Sequence, residues 1–270
     1  MEKIIYATNF SKDSVAALKY SYGIRKLFNA EVIVLHVFDA GSDQDGKIKI
    51  IDKRRELEDF CSLNLGEKYD DLDLSVSIIN GSDVVSEIIN FVRDLDVRLL
   101  LMGACKPNPL NELLLLDTTK EMISKAPFPV LAVPHEFQFT IPEKILYTTD
   151  FDEEDVYHIL ELTKILTPFS AQITVLHVSD EKEEKTNSLL ISFKELIAEK
   201  VNYEKLHYKI IYSHDIVDSL KTYVEEADID MVAMLERGKK TDLTKIFHRD
   251  LVKRMQACLK VPLLSFKKKY

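Results

Sequence analysis

The sequence predicts an α/β protein built from two tandem, doubly wound domains, each with a five-stranded parallel sheet. Three observations carry this. The chain is written twice: Lys3–Asp39 aligns with Lys144–Asp180 without a gap, so that KIIYATNF faces KILYTTDF and AEVIVLHV faces AQITVLHV. Ser75–Gly103 faces His207–Leu235 in a second block. A repeat this long is a whole domain rather than a solenoid unit. Finally, short strands that are apolar throughout are joined by helices of ten or more residues. That pattern means a parallel sheet covered on both faces, with right-handed crossovers. The domains are expected at residues 1–135 and 143–270.

The elements of the first copy follow in order. Ile4–Thr8 is an apolar strand, and Ser11 or Asp13 is placed to cap a helix whose apolar face is Val15, Leu18, Tyr22 and Leu27. Glu31–Val37 is a strand rich in branched residues, and Lys47–Lys68 is helical with Leu57, Phe60, Cys61 and Leu65 on one side. Leu74–Ile79 is a strand, Gly81-Ser82-Asp83 a turn and cap, and Val84–Leu95 a helix. Leu99–Gly103 is a buried strand, Leu113–Lys125 a helix and Phe128–Pro134 the last strand. The second copy repeats the order: Ile145–Thr149, Val156–Leu166, Gln172–Val178, Glu183–Val201, His207–Tyr212, Asp215–Ala227, Met231–Leu235, Leu243–Ala257 and Val261–Phe266. The junction His135–Lys144 is short and partly apolar, so the two halves are expected to pack together.

Charge and composition narrow the function classes. A net charge of −9 argues against nucleic acid as a general partner, since phosphate contacts need a basic surface. The start, MEKIIYATNF, has no basic flank or long apolar run, and no stretch is apolar enough to span a bilayer. Three scattered cysteines, Cys61, Cys105 and Cys258, form no paired motif. A soluble, cytoplasmic setting without membrane contact is expected.

In a doubly wound sheet, ligands bind outside the C-terminal strand ends where the strand order reverses. Those ends are Ala7-Thr8-Asn9, His36-Val37 and Met102-Gly103 in the first copy. In the second they are Thr148-Thr149-Asp150, His177-Val178 and Met234-Leu235. The strand 1 pattern ending in Thr-Asn/Asp-Phe, the repeated LHV, LLLMG and PFPVLAV together resemble the universal stress protein family, over nearly the whole chain. The resemblance implies strand order 3-2-1-4-5 in each domain and pairing through strand 5, here as an intramolecular pseudo-dimer, with a further homodimer open. It also implies a role in stress response and, in members that bind ATP, a Gly-x-x-Gly, nine residues, Gly-Ser/Thr loop after strand 4. Glycines let the backbone approach phosphates at a helix N-terminus.

Carried over by position, both loops are degenerate. The first copy keeps Gly103, Val37 and Met102 but has Lys106 at the second glycine, Leu116-Asp117 at the final pair, and Asn9 for the strand 1 aspartate. The second keeps Asp150, Val178 and Gly238 but has Leu235 at the first glycine and His248-Arg249 at the end. Leu235–Arg254 nonetheless carries Arg237, Lys239, Lys240, Lys245, Arg249, Lys253 and Arg254 against three acids. One reading is a solvated face. The other is an anion site of Arg237, Lys239, His248 and Arg249 beside a helix N-terminus. The matched His36 and His177 read as structural histidines rather than metal ligands, and Cys105 as an ordinary thiol. No nucleophile and base can be assembled, and Ser11, Ser14 and Ser82 read as caps.

The expectation is a non-catalytic regulatory or binding module. The residues demand no cofactor, although ATP or another adenine nucleotide is what the resemblance suggests, and the partner is an unspecified protein or small anionic ligand. The alternatives are a slowly hydrolysing ATP-binding protein with one atypical site, or an enzyme on the same sheet acting on another small molecule.

Overall fold

The computed structural model describes residues 2–41, 44–104, 118–180, 183–237 and 251–267. They fall into two compact units, Met1–Thr140 and Ile141–Tyr270. In the first, β1 (Lys3–Ala7), β2 (Glu31–Phe38), β3 (Ser75–Asn80), β4 (Val97–Ala104) and β5 (Val130–Pro134) form a parallel sheet in the order β3-β2-β1-β4-β5. Helices α1 (Val15–Phe28), α2 (Gln44–Leu65), α3 (Val84–Phe91) and α4 (Thr118–Lys125) connect them. The second unit repeats the plan with β6 (Lys144–Thr148), β7 (Gln172–Ser179), β8 (Leu206–Tyr212), β9 (Met231–Glu236) and β10 (Leu263–Lys267), in the order β8-β7-β6-β9-β10. Its helices are α5 (Glu153–Leu166), α6 (Glu183–Lys200), α7 (Ile216–Glu226) and α8 (Leu251–Cys258).

The central strands are buried on both faces, as their unbroken apolar runs require: Ile4, Ile5, Tyr6 and Leu99–Leu101 in one unit, Ile145–Tyr147 and Met231–Leu235 in the other. The edge strand β8 instead alternates half-buried and exposed residues over Leu206–Ile210, with His207 and Lys209 facing out. His207 therefore belongs to a solvated edge.

Asp83 and Asp215 cap α3 and α7 by accepting the backbone N–H three residues on, at 3.2 and 3.0 Å. At α1 the expected cap is corrected. A 3-10 turn, Lys12–Ser14, precedes the helix, and neither Ser11 nor Ser14 caps it through its side chain. The Ser14 hydroxyl instead donates to the Ser11 carbonyl at 2.8 Å. Helix α3 stops earlier than the periodicity suggests, at Phe91, where the chain enters the turn before β4.

The two phenylalanines of the junction are used within the first unit. Phe137 and Phe139 lie against Tyr20 of α1, ring centroids 6.0 and 5.1 Å apart. A Cβ on Gly23 would come within 2.4 Å of the Phe139 ring, so the glycine makes room for it.

One pair of core positions differs in kind between the units. Gln256 and Ser265 are buried with no hydrogen-bond partner for their side-chain polar atoms. The first unit has Ile123 and Ala132 at the matching places, both in its core. A buried unsatisfied polar group costs about 1–3 kcal/mol. Replacing Gln256 with isoleucine and Ser265 with alanine should therefore raise the unfolding free energy of the second unit by at least about 1 kcal/mol. Urea titration of the full chain measures this, and a loss of stability would contradict it.

Candidate functional site

The same turn closes strand 1 in both units. Phe10 and Phe151 sit at φ 61°, a left-handed conformation that a bulky residue adopts only when its surroundings hold it there. Two contacts do so. The threonine two residues earlier, Thr8 or Thr149, accepts the phenylalanine N–H at 3.0 or 2.8 Å. The ring packs on the histidine of the LHV strand, with centroids 4.4 Å apart for Phe10–His36 and 4.5 Å for Phe151–His177.

Each histidine in turn places Nδ1 at 2.8 or 2.7 Å from the carbonyl oxygen of Thr8 or Thr149. An Nδ1–H donor is the form that satisfies this acceptor. Burial pushes the His36 pKa down, which favours the neutral ring. These repeated histidines therefore tie strand 2 to the strand 1 exit. No cluster of three metal-ligating side chains occurs among the described residues.

Beyond the clasp the units diverge. In the first, the buried Tyr6 hydroxyl donates to the Ser14 carbonyl at 2.7 Å, and the Thr8 and Ser14 hydroxyls lie 2.9 Å apart. Asn9 Oδ1 accepts the Ser11 N–H at 3.1 Å, so its side chain braces its own loop. Val37 and Met102 are buried at their strand ends. Gly103 lies against the 3-10 turn: a Cβ there would stand 2.8 Å from the Asp13 carbonyl oxygen and 3.0 Å from the Ser14 Cα. Asn9 borders a separate, open depression along α2 with Phe10, Lys53, Glu56 and Phe60.

In the second unit the corresponding turn holds carboxylates. Asp155, with no solvent exposure, accepts from the Tyr147 hydroxyl (2.9 Å), the Thr149 hydroxyl (2.8 Å) and the Asp150 N–H (3.2 Å). Arg237, the residue after β9, reaches across to the same turn. Its Nη2 meets Asp155 at 2.6 Å, its Nε meets Asp150 at 3.1 Å, and its Nη1 pairs with Asp152. One guanidinium thus serves three aspartates, the fork geometry that arginine provides and lysine does not.

Burial alone would lower the Arg237 pKa. The charges of Asp155, Asp150 and Asp152 outweigh it and hold the guanidinium above its ordinary value. Burial pushes Asp155 up, opposed by Arg237 and the two hydroxyls. Burial, reinforced by the Asp155 charge, keeps the Tyr147 phenol protonated. The free thiol Cys61 is pushed up to about 12 by burial, so it is no nucleophile.

The structure brings Asp150, Val178 and Arg237 together around one cleft, with Met234 and Leu235 forming its apolar wall. The free volume of this part-open cleft is about 40 Å³, room for a few waters. The Arg237 charge faces three carboxylates instead of open solvent. Lys106, Gly238, Lys239, His248 and Arg249 lie outside the described residues, as do Cys105, Leu116 and Asp117. Sequence reasoning missed Tyr147, Asp152 and Asp155. The signal was present in the aligned copies: Asn9, Ser11 and Ser14 stand opposite Asp150, Asp152 and Asp155.

The universal stress protein family matches residues 1–134. A universal stress protein of Methanocaldococcus jannaschii is 29% identical over 152 residues, covering 49% of this chain and 94% of that protein. Among solved structures, a universal stress protein from Archaeoglobus fulgidus has a TM-score of 0.73 at 19% identity, over 98% of this chain and 96% of its own. The cytoplasmic domain of a prokaryotic cation chloride cotransporter has a TM-score of 0.53 at 10% identity, over 98% and 94%. These two likenesses speak for the fold across both units. Residues 1–134 thus match the universal stress protein family, and the second unit repeats the fold of the first.

Proposed function

We propose that the protein is a non-catalytic regulatory module of the stress response whose nucleotide sites are degenerate. The observation that carries this reading is the ion-pair cluster of the second unit. Asp150, the strand 1 aspartate of the family pattern, is held by Arg237, and the surrounding turn adds two further carboxylates. An acid excess at that mouth repels a triphosphate. Leu235, buried at the position of Gly103, removes the bare backbone that a phosphate approach needs. Lys239, His248 and Arg249 are left, without Arg237, as a basic segment for a small anionic ligand or an acidic protein partner. The net charge of −9 speaks against nucleic acid. Among the described residues no helix is long and apolar enough to cross a membrane.

A second reading has its own support. The first unit keeps Gly103 and an uncharged strand exit, so an atypical ATP site with slow hydrolysis would use Asn9, Val37, Met102, Gly103 and Lys106. Melting the full chain with magnesium and ATP decides between the two. A ligand present at a hundred times its dissociation constant stabilises by about 2.7 kcal/mol, which for domains of this size means a shift of several degrees. The degenerate-site reading expects a shift under about 1 °C at millimolar ATP. A rise of several degrees would refute it.

A further inference from the structure

The units differ by a concerted exchange at one place. Tyr6 and Thr8 recur as Tyr147 and Thr149, and their hydroxyls point into the same turn. What they meet has changed. Opposite Asn9, Ser11 and Ser14 stand Asp150, Asp152 and Asp155, and the first residue past β9 is an arginine that binds all three. The matching position of the first copy is Cys105.

Asp155 and Arg237, at least, are not tolerable without each other. A carboxylate as buried as Asp155 needs a cation, and a guanidinium held in this cleft needs its carboxylates. The neutral set of the first unit shows that the fold itself does not require the charges. They serve the cleft: Arg237 and Asp150 are both on its wall.

We infer that Arg237 is a built-in plug. Its guanidinium fills the polar mouth of the second unit's strand-exit cleft and pins the β6–α5 turn to the end of β9. The cleft is thereby closed from within, independently of any external ligand. This rests on the reading that the second site takes no nucleotide, and it goes further by naming what occupies the site instead.

Hydrogen exchange on the full chain tests it, following residues 148–155 and 234–237. In Arg237→Ala these segments should exchange at least about tenfold faster, while β7 and β8 change little. Adding Asp150→Asn, Asp152→Ser and Asp155→Ser to Arg237→Ala recreates a neutral turn like that of the first unit and should return exchange to within about threefold of the native chain. Unchanged exchange in Arg237→Ala overturns the plug, as does a neutral quadruple variant no better protected than the single one. Should Arg237→Ala fail to fold, a folded quadruple variant upholds the plug, and an unfolded one overturns it. Protection gained with magnesium and ATP only at residues 7–14 and 102–104 would sink the degenerate-site reading and leave the plug standing.

Discussion

Asp155→Ala should destabilise the second unit by about 3–5 kcal/mol, the cost of breaking a buried ion pair from one side. The alanine leaves the Arg237 guanidinium without its most deeply buried carboxylate, and it strips the Tyr147 and Thr149 hydroxyls of their acceptor. All of these groups are buried or nearly so, and water does not replace what they lose. With domain stabilities of about 5–15 kcal/mol, the second unit would lose a third or more of its margin. Ser14→Ala is the control, since Ser14 holds the same place in the first unit through neutral hydrogen bonds at 2.9 and 2.8 Å. Bonds of that kind contribute about 0.5–1.5 kcal/mol each. Urea unfolding of both variants measures the contrast. A cost below about 1 kcal/mol for Asp155→Ala would mean that the carboxylate is solvated in solution and that the network is not a closed one.

The fold was legible because its determinants are local and written twice. Apolar runs such as Ile145–Tyr147 and Met231–Leu235 cannot face water on either side, and the helices between them force parallel crossovers. The half-exposed β8 departs from that pattern only because it is an edge. The site was legible in one direction only. A missing glycine is visible in the sequence, so the loss at Leu235 could be read. The partner of a charge is not. Arg237 sits in a run of basic residues and was grouped with them, yet its contacts come from a turn more than eighty residues earlier in the chain. Likewise LHV was visible as a repeat, but a histidine bonded to a main-chain carbonyl leaves no trace in side-chain chemistry. The aligned copies held the missing information in the three neutral-to-acid exchanges, which carry meaning only when summed against the arginine.

Gly103→Ala should cost the first unit about 1–3 kcal/mol with no nucleotide present, the usual range for overpacking. The added Cβ would meet the Asp13 carbonyl oxygen at 2.8 Å, the Ser14 Cα at 3.0 Å and the Asp13 carbonyl carbon at 3.2 Å. All three are backbone atoms of the 3-10 turn, so no side chain can swing away, and either the turn or β4 must move. The turn resists, because the Tyr6 hydroxyl and the Thr8–Ser14 pair anchor it. The glycine of LLLMG thus has a packing reason to exist that is separate from any phosphate. The second unit supports this from the other side: it carries Leu235 at the matching place, buried, and its turn is held by Arg237 instead of by close backbone contact. Urea unfolding of Gly103→Ala measures the effect. A change within about 0.5 kcal/mol would remove the packing account and leave close approach of a ligand as the reason the first unit keeps its glycine.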